Sequence, residues 1–320
     1  MSRRAVLRLL GTFSSTVLLL AAVAACDAAG GAVRSPSGPA SRLVTADETY
    51  AEGRTLEVRV PGSGGSGLPA VVLLHGCCGD RSDVVKLAEA VAADGAVVFT
   101  PDWGGTGRDG RFPTAYEDVG CAVRYARAHA AGHGGDPARV VLAGWSDGAM
   151  AAAAVAASGA ILDAGRCVEQ RGSAHVDALV GLAGYYGWTL PVPTDVVTAR
   201  AVRFIGGTPD AVPAAWASAT PYSWLDCASP IPATLLTGSE DPLREQTERF
   251  HAALVRAGWP ARLVLVPYDG EPSLLSPRTA EGRRAADETV AAGYAVPSSA
   301  RSESTAPGAR CSASPPPPVP

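Results

Sequence analysis

Short apolar segments alternate with segments of helical spacing along most of the chain, and this alternation limits the folds that the sequence can adopt. The predicted strands are 54–60, 70–74, 96–100, 139–144, 177–184, 233–238 and 262–266. The predicted helices are 83–94, 114–131, 148–158, 243–257 and 279–292. Strands that alternate with helices form a parallel sheet between two helical layers. We therefore expect an α/β fold with a mostly parallel central sheet and helices on both faces, in which the polar–apolar alternation of 54–60 indicates an antiparallel first strand.

The loops that follow the strands are the expected ligand-binding region. In parallel sheets ligands bind beyond the carboxyl ends of the strands, where those loops meet. The loops concerned are 75–81, 102–113, 145–148, 184–192, 239–243 and 267–276. We call this end of the predicted sheet the mouth.

Both ends of the chain have the composition of segments outside a folded domain. Residues 1–26 combine an arginine-containing head with an apolar run and small residues, which is typical of an export signal. A single transmembrane anchor is the alternative, and the short, Ala- and Ser-rich run disfavours it. Residues 27–47 predict a flexible tether and 294–320 a disordered tail rich in Pro, Ser and Ala. The remaining 48–293 has the size of one α/β domain.

Two short motifs give the predicted signal a more specific character. Residues 2–8 (SRRAVLR) resemble bacterial twin-arginine signals. Residues 23–26 (VAAC) are similar to the lipobox of bacterial lipoproteins, in which the cysteine becomes lipid-modified after cleavage. The resemblance implies export and a membrane anchor at Cys26, with the domain outside the cytoplasm.

Charge and cysteine content constrain the partners and the compartment. The formal net charge is −4 and no Lys/Arg run lies outside the signal, which argues against nucleic acid as a partner. Six cysteines besides Cys26 are ordinary for an exported protein, and we expect disulfides. The predicted pairs are Cys167–Cys227 and one of Cys77 or Cys78 with Cys121. The competing interpretation, a metal site, lacks any Cys-x-x-Cys or His-rich spacing.

The pentapeptide Gly144–Gly148 (GWSDG) lies between a predicted strand and a helix of small residues. A G-x-S-x-G sequence in this context predicts a nucleophile elbow, a turn that exposes the serine hydroxyl at the end of the sheet. The turn is so tight that Gly144 and Gly148 cannot carry large side chains. Ser146 is therefore the candidate nucleophile.

The segment His75–Gly79 (HGCCG) follows the second predicted strand. Acyl transfer places negative charge on a carbonyl oxygen, and backbone N–H groups aimed at it stabilise that charge. The candidate donors are the N–H groups of Cys77, with Cys78 as the alternative, and of Asp147. A Gly-rich turn with cysteines kept for a disulfide is the other interpretation, and both can hold. His75 itself is more consistent with a structural role.

The segment Gly238–Leu243 (GSEDPL) ends the penultimate predicted strand. A carboxylate that follows the serine in chain order, at the end of a later strand, is where a hydrolase carries its histidine-orienting acid. Asp241 is the candidate in preference to Glu240. The alternative is an aspartate that caps the next helix.

From residue 54 to 275 the chain resembles the α/β-hydrolase esterases, especially the bacterial carboxylesterase, acetyl-esterase and dienelactone-hydrolase-like group. Further segments in the same order carry the resemblance: Phe112-Pro113, Asp118-Val119, Ala122–Tyr125, Gly135–Val140 and Phe204–Thr208. The LHGC sequence at 74–77 is also similar to secreted polyhydroxybutyrate depolymerases and feruloyl esterases, which implies disulfide use of Cys77. The resemblance implies an α/β-hydrolase fold and cleavage of small carboxylic esters through an acyl-enzyme on Ser146, without a metal or cofactor.

The histidine of such a site is missing from its expected place. The family carries it in a segment like VPGAGHSLL, whereas residues 266–275 read VPYDGEPSLL, with Glu271 in the slot. The histidines of the chain are His75, His129, His133, His175 and His251. Apart from His75, their positions predict locations away from the mouth, and none is a suitable base.

Three hypotheses account for the missing histidine. Glu271 acts as the base, as a glutamate does in Ser-Glu-Asp sedolisin proteases, with Asp241 raising one of two coupled carboxyl pKa values. Alternatively, the loop is remodelled and the site is weak or inactive, or the sequence of this copy is altered late in the chain. The sequence therefore predicts a serine esterase in which Glu271 stands in place of the usual histidine base, and the alternative is a catalytically silent binding or cell-envelope protein.

Aromatic residues in the predicted mouth loops have two interpretations. They either line an acyl or aromatic pocket or pack the loops in the ordinary way. The residues are Trp103, Tyr185, Tyr186, Trp188 and Trp224.

Overall fold

The structure, a computed structural model, describes residues 40–159, 162, 167–188, 195–267 and 271–297, without the side chains of 195–198, 271 and 272. Its strands are β1 (Arg42–Ala51), β2 (Arg54–Val60), β3 (Leu68–Leu74), β4 (Val97–Pro101), β5 (Gly135–Trp145), β6 (Ala178–Leu182), β7 (Ala233–Gly238) and β8 (Ala261–Val266). Its α-helices are α1 (Val85–Ala93), α2 (Thr114–His129), α3 (Asp147–Ser158), α4 (Asp195–Ile205), α5 (Pro213–Ser218), α6 (Arg244–Arg256) and α7 (Ala280–Tyr294). The predicted signal at 1–26, most of the predicted tether and most of the predicted tail lie outside the described residues.

The strands form one eight-stranded sheet in the order β1-β2-β4-β3-β5-β6-β7-β8. β2 pairs antiparallel with both β1 and β4, and every pair from β4 to β8 is parallel. Almost wholly buried are β3 and residues 140–144 of β5, as their continuous apolar sequences require of strands covered on both faces. The mostly parallel sheet and the antiparallel β2 are confirmed. The parallel strands all end at the mouth.

Two apolar clusters lie on opposite faces of the sheet. On one face α1 and α7 pack through side chains such as Leu87 and Val290. On the other face α2, α3 and α6 pack together, with Val119, Met150 and Phe250 in the interior. Helix α3 can lie close to the sheet because most of its side chains are those of alanine. Helices on both faces of the sheet are confirmed.

Three elements were not predicted from the sequence. β1 begins at Arg42, so its first residues come from the stretch that the sequence assigned to the tether. Its side chains are mostly exposed, and it therefore lacks the apolar pattern that marks a buried strand. Backbone pairing with β2 holds it at the edge of the sheet. Helices α4 and α5 lie between β6 and β7, in a stretch where no helix was predicted.

The disulfide pairing differs from both predicted pairs. Cys121 bonds to Cys167, and Cys77 bonds to its neighbour Cys78. The predicted Cys167–Cys227 pair and the predicted pairing of Cys121 with Cys77 or Cys78 are therefore wrong. Cys121 lies in the middle of α2, where it meets the segment that pairs with the end of β1 through Cys167. Spacing along the chain does not reveal that contact.

Candidate active site

Ser146 lies at the turn between β5 and α3 in a conformation that side chains rarely adopt. Its φ is 55° and its ψ is −122°, so that a non-glycine residue stands at positive φ. Its N–H donates to the carbonyl oxygen of Leu182 at the end of β6, over 3.0 Å. Residues held in sparsely populated backbone regions are strained and cluster at functional sites.

Glycines on each side of Ser146 allow this turn. A Cβ on Gly144 would overlap the carbonyl oxygen of Gly148 and lie 2.6 Å from the amide nitrogen of Ala149. A Cβ on Gly148 would overlap the carbonyl oxygen of His75 and lie 2.8 Å from that of Leu74. The strand, the turn and the helix therefore touch backbone to backbone.

The loop after β3 lies beside the serine. A Cβ on Gly76 would lie 3.0 Å from the ring of Trp145 and 3.4 Å from the Cβ of Ser146. The structure thus brings the HGCCG segment and the GWSDG segment together, as the parallel strand order requires. The N–H of Asp147 belongs to the first residue of α3, so it has no partner within the helix.

The Cys77–Cys78 pair is held by a second mouth segment, Gly105–Asp109. Gly107 donates its N–H to the carbonyl oxygen of Cys77 over 2.7 Å. A Cβ on Gly107 would lie 2.5 Å from Cys78 Sγ, and one on Gly105 would overlap the carbonyl oxygen of Cys77. Close packing on these glycines fixes the backbone of the loop that carries one candidate oxyanion donor.

The side chain of Asp147 is buried next to the serine. Its carboxylate accepts hydrogen bonds from the hydroxyl of Thr106 and from the guanidinium of Arg200, whose Nη2 lies 3.2 Å from Oδ2 and 3.3 Å from Oδ1. Burial raises the pKa of Asp147, while Arg200 and Thr106 act in the opposite direction. Sequence reasoning missed both partners, because they lie in segments whose position relative to the elbow no motif indicates.

Asp241 follows β7 at the same end of the sheet, and its carboxylate is largely buried. Oδ2 accepts a hydrogen bond of 2.8 Å from the hydroxyl of Thr237, and Oδ1 accepts one of 2.8 Å from the N–H of Leu243. Leu243 directly precedes α6, so Asp241 stabilises the approach to that helix. Each carboxylate oxygen thus has a local partner, and each keeps further capacity to accept a hydrogen bond.

Four of the five histidines make contacts elsewhere in the fold. His129 lies 2.9 Å from Glu169, His133 packs on Phe99, His175 lies 3.8 Å from Asp177 and His251 lies 3.3 Å from the carbonyl oxygen of Ala261. None of these contacts involves Ser146 or Asp241.

His75 is near the elbow but is buried beneath it. Its Nδ1 lies 2.8 Å from the carbonyl oxygen of Gly76, and its Nε2 lies 3.3 Å from Asp102. Hydrogen bonding from His75 lowers the pKa of Asp102. The carbonyl oxygen of His75 accepts a hydrogen bond of 3.1 Å from the indole N–H of Trp103. These contacts favour the structural interpretation of His75.

Glu271 is the first residue of a short 3₁₀ segment, Glu271–Leu275, that follows β8. Its side chain lies outside the described residues, as do Tyr268, Asp269 and Gly270. Leu274 and Leu275 anchor the segment in the cluster beneath α7. Glu271 therefore follows the mouth end of β8 in the chain.

The aromatic residues of the mouth loops are buried in the core cluster rather than displayed on a surface. Trp188 and Trp224 donate their indole N–H groups to the carbonyl oxygens of Ala219 and Ser218. Tyr186 stacks on Phe250 with ring centroids 4.4 Å apart. These contacts favour the ordinary packing interpretation.

The strained Ser146, the glycine-rich loop after β3 and the buried carboxylate of Asp241 all lie at the mouth of the parallel sheet. The profile of the BD-FAE family matches residues 56–254, more than half of the 320-residue chain. The chain belongs to the BD-FAE family. No curated protein was found to be similar in sequence.

Solved esterase structures share the fold of this BD-FAE member. An esterase of Pyrobaculum calidifontis is 23% identical with a TM-score of 0.63, and the match covers 82% of this chain and 88% of that one. A truncated carbohydrate esterase from gut microbiota is 18% identical with a TM-score of 0.65, covering 80% and 99%. Thermogutta terrifontis esterase 2, phosphonylated by sarin in that structure, is 18% identical with a TM-score of 0.60, covering 73% and 87%. The predicted α/β-hydrolase fold is confirmed.

Two further observations bear on cofactors and membranes. Within the described ranges, no group of three or more His, Cys, Asp or Glu side chains is arranged to hold a metal ion. Among the helices described, none is both long and apolar enough to span a bilayer.

Proposed function

We propose that this BD-FAE protein hydrolyses carboxylic esters, with Ser146 as the nucleophile. The observation that carries the proposal is the positive φ of Ser146. The glycines on either side, Gly144 and Gly148, lie so close to backbone atoms that neither position has room for a side chain. A fold without turnover gains nothing from holding a serine in a strained conformation. The motif order further supports a relationship to the acetyl-esterase and dienelactone-hydrolase-like group.

The proposed reaction proceeds through an acyl-enzyme. Ser146 Oγ attacks the ester carbonyl carbon while its proton passes to a base, and the carbonyl oxygen becomes an oxyanion. The N–H groups of Cys77 and Asp147 donate to this oxyanion. Collapse expels the alcohol, which takes the proton from the base, and leaves the acyl group on Ser146. Water then attacks the acyl-enzyme by the same steps and releases the acid.

Glu271 is the proposed base, with Asp241 as the neighbouring acid. Both follow strands that end at the mouth, β8 and β7, which lie side by side in the sheet. A carboxylate can take the serine proton as a general base when it lies within hydrogen-bond reach of the hydroxyl group. The contacts of four histidines elsewhere in the fold support a base other than histidine.

Hydrolysis of p-nitrophenyl acetate and butyrate by the purified chain from pH 4 to 9 tests the proposal. The variants are Ser146→Ala and Glu271→His. Acetylated oligosaccharide is a further substrate, because one structural relative is a carbohydrate esterase. We expect turnover by the unmodified protein and its loss in Ser146→Ala.

The pH dependence then identifies the base. An acidic limb that Glu271→His moves toward higher pH supports Glu271. If the unmodified protein is inert and Glu271→His activates it, the site lacks only its base. If Glu271→His is also inert, Glu271 does not occupy the histidine slot and the proposed site is wrong.

A catalytically silent binding or cell-envelope protein is the second candidate. The absence of a histidine contact to Ser146 among those described above favours it. A fluorophosphonate probe discriminates between the two candidates, because only an activated serine reacts quickly. Labelling that is no faster than that of free serine would favour the binding protein.

We also propose that the protein is an exported lipoprotein, anchored to the membrane through Cys26 with its domain outside the cytoplasm. The charged head, apolar run and VAAC sequence of residues 1–26 support this. Bacteria that express the full chain should incorporate an alkyne-tagged fatty acid into it, and Cys26→Ala should lose the label and leave the membrane fraction. Label retained by Cys26→Ala would contradict the anchor.

A further inference from the structure

Asp147 is held by two different mouth elements. Thr106 reaches it from the Gly105–Asp109 segment, and Arg200 reaches it from the middle of α4. Asp147 is 1% exposed, so its carboxylate receives little hydration. A buried carboxylate is stable only with a paired charge and hydrogen bonds. Here Arg200 supplies the charge.

The guanidinium of Arg200 touches both segments to which the proposed function assigns oxyanion donors. Its Nη2 contacts the carboxylate of Asp147, and its Nη1 lies 3.8 Å from Cys78 Sγ. One side chain from α4 therefore bridges the residue after Ser146 and the residue after Cys77. Such a bridge fixes the separation of the two segments.

We propose that Arg200 is a positioning residue, which sets the backbone N–H groups of Asp147 and Cys77 for the oxyanion by binding the side chains of Asp147 and Cys78. This inference rests on the proposed function, since the oxyanion is that of ester hydrolysis. Arg200 acts through its neighbours, since its guanidinium binds Asp147 and Cys78. Displacement of a catalytic group by about 1 Å can slow a reaction about 100-fold, so such a residue has a measurable effect.

The charge environment of Asp147 makes the role of Arg200 dependent on pH. Arg200 of α4 faces the carboxylate together with the hydroxyl of Thr106, while Tyr116 of α2 and Tyr185 after β6 interact with it electrostatically. Burial raises the pKa of Asp147 and Arg200 opposes this increase. Without Arg200 the pKa rises further, and the carboxyl group is neutral at low pH and an unpaired anion at high pH.

Kinetics of p-nitrophenyl acetate hydrolysis by the full chain test the inference. The variants are Arg200→Met, Asp147→Asn and the double variant. In Arg200→Met we expect kcat to fall about 100-fold with little change in KM, because the donors act in the transition state. The kcat of Arg200→Met, divided by that of the unmodified protein, should rise as the pH falls, because protonation of Asp147 removes its unpaired charge.

The double variant separates positioning from simple packing. Asn at position 147 keeps an acceptor for Thr106 but removes the charge that binds Arg200, so Asp147→Asn should itself slow hydrolysis, and adding Arg200→Met should cost it little further activity. Arg249→Met is the matched control, because Arg249 lies on α6 and its guanidinium pairs with the exposed Glu245 rather than with a residue of the mouth. Its effect should be much smaller and independent of pH.

Two results would overturn the inference in distinguishable ways. If the unmodified protein is active and Arg200→Met slows Asp147→Asn as much as it slows the unmodified protein, Arg200 acts independently of Asp147 and the positioning role is wrong. If the unmodified protein neither hydrolyses esters nor reacts with a fluorophosphonate, the proposed function fails and the positioning role falls with it.

Discussion

A Cβ on Gly144 would overlap the carbonyl oxygen of Gly148, which lies three residues beyond the end of β5. Gly148 in turn lies against the carbonyl oxygens of Leu74 and His75, so β5, α3 and the end of β3 meet with no side chain between them. These contacts leave the intervening Ser146 at positive φ. The turn is therefore maintained by backbone contacts rather than by side-chain packing.

Gly148→Ala should destabilise the protein by about 1–3 kcal/mol, because the added methyl group must displace backbone atoms. The free energy of unfolding in urea measures the effect. Gly132→Ala is the matched control, since a Cβ there meets nothing within 4 Å. Equal stability of the two variants would show that the turn can relax.

The turn, the fold class and most of the elements could be predicted because their determinants are local. Continuous apolar runs specify buried strands such as β3 and the second half of β5. The glycines around Ser146 fall within five residues of one another. A short sequence pattern therefore contains the whole physical requirement of the turn.

The remaining features depend on contacts between distant segments. Arg200 meets Asp147 across 53 residues of chain, and Cys121 meets Cys167 across 46. β1 is fixed by backbone pairing with β2 and carries little apolar pattern of its own. Single-sequence reasoning cannot rank such contacts, since many pairings satisfy the same residue types.

Thr237→Val should lower the free energy of unfolding by about 1–3 kcal/mol, because the buried Oδ2 of Asp241 would lose a hydrogen bond while the side-chain volume stays similar. If Asp241 orients the base, ester hydrolysis should also slow. Thr237→Ser keeps the hydroxyl group and is the control. Chemical denaturation and p-nitrophenyl acetate kinetics measure the two effects, and a Val variant as stable as the Ser variant would contradict the prediction.

Replacing both Cys121 and Cys167 by serine should lower the free energy of unfolding by about 2–4 kcal/mol, because the bond closes a long loop in the unfolded chain. The Cys77→Ser/Cys78→Ser variant is the comparison, since adjacent residues close almost no loop. Urea denaturation of both variants measures the difference. A larger loss from the adjacent pair would mean that loop closure is not the main contribution.

Glu169 should stabilise the fold in a way that disappears in acid. Hydrogen bonds from the side chain and the backbone N–H of Arg171, with a smaller effect of His129, lower its pKa from 4.5 to about 2. A carboxyl group with a lowered folded-state pKa stabilises the protein above its unfolded pKa, and this stabilisation is lost as the pH falls through the folded value. The unmodified protein should therefore be more stable than Glu169→Gln at neutral pH, with a difference that is constant down to about pH 5 and shrinks toward pH 2.

Thermal unfolding of both proteins across this range measures the difference. Glu245→Gln on α6, which loses only an exposed pair with Arg249, should show a smaller difference at neutral pH, and equal differences for the two variants would refute the special role of Glu169.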